Sequence, residues 1–157
     1  MHRVAIGLGS NIGDSRAHLD AACGALRSHP LVSHFKCSTF ISTAPEGILE
    51  QPDFLNAAAT FSTALSPESV LSLLLKIEQS RGRDRAFEKR WGPRSLDLDL
   101  LIFDDQVIAT PDLNVPHIHM KTRRFVLEPL AQIAADWIVP PSNQTVQELL
   151  DALNGGC

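Results

Sequence analysis
The segment SLDLDLLIF (residues 95–103) sets the tightest limit on what this chain can fold into. In an extended strand Ser95, Asp97, Asp99, Leu101 and Phe103 point one way, and Leu96, Leu98, Leu100 and Ile102 the other. A continuous aliphatic face has to be covered, so this strand is expected in the core of a layered domain. Its other face carries two carboxylates at i and i+2, side by side. Carboxylates that close repel each other and lose hydration unless a positive partner is near. Candidates precede the strand directly: Arg81, Arg83, Arg85, Lys89, Arg90 and Arg94 are six of the fourteen Lys and Arg in the chain. Two readings follow. Either the aspartates only pair with these arginines, or they form a divalent-cation site beside a phosphate clamp.

Bulk properties narrow the choice. A length of 157 residues suits one domain, here residues 1–157, large enough to bury most of its apolar surface. A net charge of −4 argues against general nucleic-acid binding, so the basic cluster stands out from an acidic background. Cys23, Cys37 and Cys157 are odd in number and lack CxxC spacing, which fits a reducing compartment and gives no zinc signature. The start, MHRVAIGLGSN, lacks signal-peptide architecture, and no stretch reaches the ~20 apolar residues of a membrane span. The expectation is a soluble, cytoplasmic protein with no membrane or nucleic-acid partner, acting as a monomer.

Along the chain, residues 4–8 read as a buried strand running into Gly7, Gly9 and Gly13, with Asp14 or Ser15 capping a helix through Leu19, Ala22, Cys23 and Leu26. The glycine spacing misses the dinucleotide fingerprint, and there is no P-loop Lys, so a tight strand-to-helix turn is the better reading. Residues 35–43 (FKCSTFIST) read as a strand that breaks at Ala44-Pro45-Glu46-Gly47, opening a turn-rich loop to Pro52. Residues 54–65 form a further strand, with Phe54 and Asn56 on one face and Leu55, Ala57, Ala59 and Phe61 on the other. An aromatic ring beside an amide suits a flat heterocycle, by stacking and edge hydrogen bonds.

Ser66-Pro67-Glu68 starts a helix that Gly82 ends. In it Glu78 shares a face with Leu71, Leu74 and Leu75 and needs a partner, the arginines beyond Gly82 being nearest in sequence. Asp104-Asp105 is expected to turn the central strand into a hairpin with residues 106–108. His117 and His119 have metal-ligand spacing but no third soft ligand nearby, so a phosphate contact is the more economical reading. Residues 125–135 read as a helix, residues 137–139 as an edge strand, and Thr145-Val146-Gln147-Glu148 as a capping box opening a last helix. Mixed strands and helices favour an α+β sandwich, with an antiparallel or mixed sheet and helices packed on it.

Trp91-Gly92-Pro93 inside the basic segment reads as a hinged flap that brings arginines onto phosphate. DxD alone is a weak signal; DxD directly after RWGPR is far more specific. The run 90–99, RWGPRSLDLD, closely resembles the signature of the 6-hydroxymethyl-7,8-dihydropterin pyrophosphokinase family. Gly9-Ser10-Asn11, Gln51-Pro52-Asp53-Phe54-Leu55-Asn56, Glu78 with Gly82-Arg83, and Val115-Pro116-His117 with Met120, Arg123 and Phe125 resemble further motifs of that family, in family order. The chain departs from the usual pattern at Ala44, Asp112 and Ile118.

The resemblance implies a ferredoxin-like fold and transfer of pyrophosphate from ATP to the pterin hydroxymethyl oxygen, releasing AMP, in folate biosynthesis. It implies ATP as co-substrate and two Mg2+ held by Asp97 and Asp99, with Arg83 and Arg94 completing the catalytic set. Glu78, Arg85, Trp91, His117 and Arg123 would serve the nucleotide, and Thr43, Ala44, Glu46, Phe54, Asn56 and Phe125 the pterin. Two other classes make different demands on the sequence. An RNA-binding ferredoxin-like module would need a basic domain with exposed aromatics, and a phosphohydrolase built on His117 and His119 would need further ligands.

Overall fold
The computed structural model describes residues 1–44, 52–82 and 95–155. Its elements run β1 (His2–Ser10), α1 (Ser15–Arg27), β2 (Val32–Cys37), β3 (Ile41–Thr43), β4 (Phe54–Thr63), α2 (Pro67–Ser80), β5 (Asp97–Phe103), β6 (Ile108–Ala109) and β7 (Asn114–Val115). A single 3-10 turn (Met120–Thr122) leads into α3 (Arg124–Ala134), then β8 (Ile138–Val139), β9 (Gln144–Thr145) and α4 (Val146–Leu153). The main sheet has the order β2-β4-β1-β5, with β3 continuing the β2 edge along β4, and every pairing is antiparallel. This is the βαββαβ order of a ferredoxin-like sandwich, so the sheet is antiparallel rather than mixed.

Three of the four described α-helices, α1, α2 and α4, start where the sequence supplies a side-chain cap. Asp14 accepts from Ala17 N–H, Ser66 from Ser69 N–H with Pro67 in the first turn, and Thr145 and Glu148 form a reciprocal capping box. Gly13 and Gly82, both at positive φ, sit at the turn into α1 and just past α2, where a side chain would be strained.

The sheet is buried on both sides. Val4, Ile6, Leu8, Ala57, Ala59, Phe61, Leu96, Leu98 and Leu100 pack against α1 and α2. Ala5, Ala58, Leu101 and Ile102 pack against α3 and α4. The alternation expected for residues 95–103 therefore holds through Leu101 and then inverts: Ile102 joins the α3 side and Phe103 the α1 side. The cause is a register shift between Ala5 and Ile6, where Ala5 pairs with Ile102 and Ile6 with Leu100, leaving Leu101 as the extra residue of a bulge. Leu101 O accepts from His117 N–H at 3.0 Å, so the bulge anchors the segment that carries His117.

Other expectations need correction. Residues 35–43 are two strands, because Ser38 leaves the ladder: it donates its N–H to Ala58 O (2.8 Å) and accepts Ala58 N–H on Oγ (2.9 Å). Residues 106–108 make no hairpin with β5; the short β6 pairs with β7. Residues 137–139 do not edge the main sheet, since β8 pairs with β9 in a separate ribbon. Among the described residues, no helix is long and apolar enough to cross a membrane.

Asp104 closes the far end of the β1–β5 pair. It sits at φ 51°, donates its N–H to Arg3 O (2.8 Å), and accepts Arg3 N–H on Oδ1 and the His2 ring on Oδ2, both at 2.7 Å. Partial burial pushes its carboxyl pKa up; the Arg3 N–H and the His2 ring outweigh this and hold it below the ordinary value. A depressed folded pKa contributes stability above the unfolded pKa that is lost as pH falls through the folded one. Asp104→Ala is predicted to lose about 1–2 kcal/mol in urea unfolding at neutral pH. The difference from the parent protein should shrink below about pH 4, the ordinary carboxylate value. An equal difference at both pH values would contradict the assignment.

Candidate active site
A pocket opens on the α3 side of the sheet, where β1, β4 and β5 meet the start of α3. Its floor is glycine. Gly9 pairs with Asn56 of β4 on one side and with Asp97 of β5 on the other, and Gly7 in the same way with Ala58 and Asp99. The amide of Asn56 and the carboxylate of Asp97 therefore project two strands apart, about 10 Å, over a stretch of bare backbone. A Cβ on Gly9 would come within 3.1 Å of Asn56 Oδ1 and 3.8 Å of the Phe54 ring, so the missing side chain is what lets both lie where they do.

One end of the pocket is aromatic and amide. Thr43, Ala44, Phe54, Asn56 and Phe125 all line it. Asn56, nearly buried, donates from Nδ2 to Thr43 Oγ1, which fixes the amide with Oδ1 over Gly9. The β3–β4 pairing sets Thr43 against Phe54 and Ile41 against Asn56, so the short strand β3 exists in effect to present this wall. The other end is charged: Asp97, Asp99 and Arg123 line it, with the Arg123 guanidinium 5.4 Å from the Phe125 ring centre.

Two carboxylates from one strand face are hard oxygen donors suited to Mg2+, which keeps several waters and takes its remaining ligands from substrate phosphates. Among the described residues, no group of three or more His, Cys, Asp or Glu is placed to hold a metal ion. The donor set fits the ion.

Two residues expected on the nucleotide side are not among those lining this pocket. Glu78 is only 1% exposed, and its Oε2 accepts Leu98 N–H at 2.7 Å. It thereby covers the outer edge of β5 between the two aspartates, a partner twenty residues away in sequence. His117 accepts His119 N–H on Nδ1 at 3.2 Å, which in the neutral ring leaves the proton on Nε2. Its pKa is pushed down by burial and then by Arg123 and His119, against an opposing pull from Asp97. Glu46, Arg83, Arg85, Trp91 and Arg94 lie outside the described residues. The strand expected over residues 4–8 extends further, so Gly9 belongs not to the turn but, with Gly7, to the strand that forms the pocket floor. Their spacing of two, within a strand otherwise aliphatic on both faces, was the available signal.

The fold and pocket together define a ferredoxin-like enzyme domain with an aromatic half-site and an acidic half-site on one sheet. A solved structure of Plasmodium falciparum HPPK-DHPS matches the fold with a TM-score of 0.75 at 14% identity. That match covers 96% of this chain but only 42% of the longer one. The family model for 7,8-dihydro-6-hydroxymethylpterin-pyrophosphokinase (HPPK) matches residues 5–135, and the chain belongs to that family. The chain is similar to the 2-amino-4-hydroxy-6-hydroxymethyldihydropteridine pyrophosphokinase of Pseudomonas aeruginosa, 41% identical over 97% of this chain and 92% of the relative. The enzyme of the same name from Bacillus subtilis is 46% identical, over 85% of this chain and 79% of the relative. HPPK activity is pyrophosphorylation of hydroxymethyldihydropterin in folate biosynthesis, and the family uses ATP and Mg2+.

Gly9→Ala is predicted to weaken pterin binding about tenfold or more, the equivalent of one displaced hydrogen bond, while ATP binding stays within twofold. Calorimetric titration of each ligand, with circular dichroism as the control for folding, tests this. Unchanged pterin affinity would remove Gly9 from its assigned role.

Proposed function
We propose that residues 1–157 form a single domain, acting in the cytoplasm as a monomer, that transfers pyrophosphate from ATP to the hydroxymethyl oxygen of the dihydropterin. The observation that carries the residue assignments is the lining of one pocket by Phe54, Asn56 and Phe125 together with Asp97, Asp99 and Arg123. The pterin lies between Phe54 and Phe125, its edge read by Asn56 and by the Thr43–Ala44 wall, with Glu46 beyond. Asp97 and Asp99 hold two Mg2+, and Arg123 and the neutral Nε2–H of His117 contact the polyphosphate. By family likeness Arg83, Arg85 and Arg94 complete the phosphate clamp, and Trp91 belongs to a loop closing over the nucleotide. Glu78 serves that end indirectly, through the backbone between the two aspartates.

In the reaction the hydroxymethyl oxygen bonds to the β-phosphorus as the bond from that phosphorus to the α–β bridging oxygen breaks. The bridging oxygen leaves on AMP, and the hydroxyl proton passes to Asp97, to Asp99 or, where no protein base is needed, to solvent water. Bound Mg2+ supplies neutralisation of the phosphate oxygens and polarisation of the attacking hydroxyl. The chain's own part is positioning: a rigid floor that sets the ring at one end and the carboxylates at the other, which is most of what phosphoryl transfer asks of a protein.

Supplied with ATP, Mg2+ and reduced hydroxymethylpterin, the protein should yield AMP only when the pterin is present. ADP as product, or ATP loss without pterin, would contradict the reading. Asp99→Ala should lower turnover by roughly a hundredfold or more while leaving pterin affinity near the parent value. Near-normal turnover would dismiss Asp99 as a metal ligand.

A further inference from the structure
On the face of the sheet turned away from the pocket, two thiols meet. Cys23 lies in the middle of α1 and Cys37 ends β2, and their sulfurs are 3.6 Å apart. The two are unequal. Cys23 is 5% exposed and belongs to the α1-side core, whereas Cys37 is only partly buried at its margin. The two sulfurs share a hydrogen bond in which either can donate; it pushes the Cys23 pKa up, with burial adding to the rise. The same hydrogen bond pulls the Cys37 pKa down, aided by Arg27 of α1 and opposed by burial and by Asp20. An outer sulfur with thiolate character backed by an inner thiol in contact with it is the arrangement of an attacking and a resolving cysteine.

We propose that Cys23 and Cys37 form a reversible redox pair that closes to an intramolecular disulfide when a low-molecular-weight disulfide is the oxidant. The Cys37 thiolate attacks one sulfur of glutathione disulfide, forming a protein–glutathione mixed disulfide and releasing one glutathione thiolate. That thiolate takes the Cys23 proton. The Cys23 sulfur then bonds to the Cys37 sulfur and expels the second glutathione, which leaves as a thiolate and is protonated by water. Two protein thiols are oxidised and one glutathione disulfide is reduced to two glutathiones, so electrons and protons balance.

The surroundings set what closure does. The next residue, Ser38, is held to Ala58 by its own N–H and by its Oγ, and Thr39 is bonded to Gln132 of α3 through both backbone and side chain. This double clamp lies between Cys37 and the β3 wall that carries Thr43. The bond therefore ties α1 to β2 and raises stability without moving the pocket.

The test uses the full chain carrying Cys157→Ser, folded and reduced, incubated with glutathione disulfide and read by intact and peptide mass. Expected are loss of two hydrogens, a crosslink joining the peptides of Cys23 and Cys37, and a melting temperature higher by roughly 5 °C, the scale for a loop of this size. Turnover should stay within twofold. With Cys23→Ser added, the reaction should stop at a single glutathione on Cys37. Persistence of the glutathione adduct when Cys23 is present would overturn the proposal. So would two unreacted thiols, a crosslink formed only in denaturant, or turnover lost on closure.

Discussion

Backbone pairing of β1 with two neighbours at once is the constraint on which the rest of this structure hangs. Gly9 is bonded into register between Asn56 and Asp97, and Gly7 between Ala58 and Asp99. A slip of one residue on either side would turn the amide or the carboxylates to the opposite face. Register is in turn held by burial on both faces, since Ile6 and Leu8 sit in one core and Ala5 in the other. Site geometry and fold stability are here consequences of a single ladder. What sets the aromatic end of the pocket and its acidic end at a fixed distance is therefore the spacing of strands rather than a loop.

Much of this could be read in advance, and the failures have a common cause. Asp97 and Asp99 were legible because aspartates break an aliphatic pattern at a period of two. The Phe54–Asn56 face was legible for the same reason. Beyond Leu100 the sequence reads Leu-Ile-Phe, apolar whichever way it faces, so no periodicity could report the extra residue at Leu101. The strand after Asp104 was assigned to the wrong partner because its true one, β7, lies past an intervening turn and carries no local mark. Glu78 showed its burial through its place on the apolar face of α2, but its bond to the Leu98 backbone N–H carries no mark in the sequence, since any residue type offers one; the arginines beyond Gly82 expected to pair with it lie outside the described residues.

Two residues proposed for the site, His117 and Thr43, sit beside irregularities of the sheet. The bulge at Leu101 turns a carbonyl outward, and that carbonyl takes the N–H of His117. The departure of Ser38 from the β2 ladder starts the short β3 that carries Thr43. Regular pairing supplies a flat platform, and each break in it brings a further side chain to the platform's rim.

Ala5 and Ala58 are fully buried beneath Leu127, Leu130 and Ala134 of α3. Side chains of a single methyl allow that helix to ride low on the sheet, and Arg123 and Phe125 belong to its first turn and the residue before it. Pocket depth is thus metered from underneath, by the bulk of residues outside the pocket lining. Lineages that vary these two positions would tune the height of the roof while leaving every lining side chain in place.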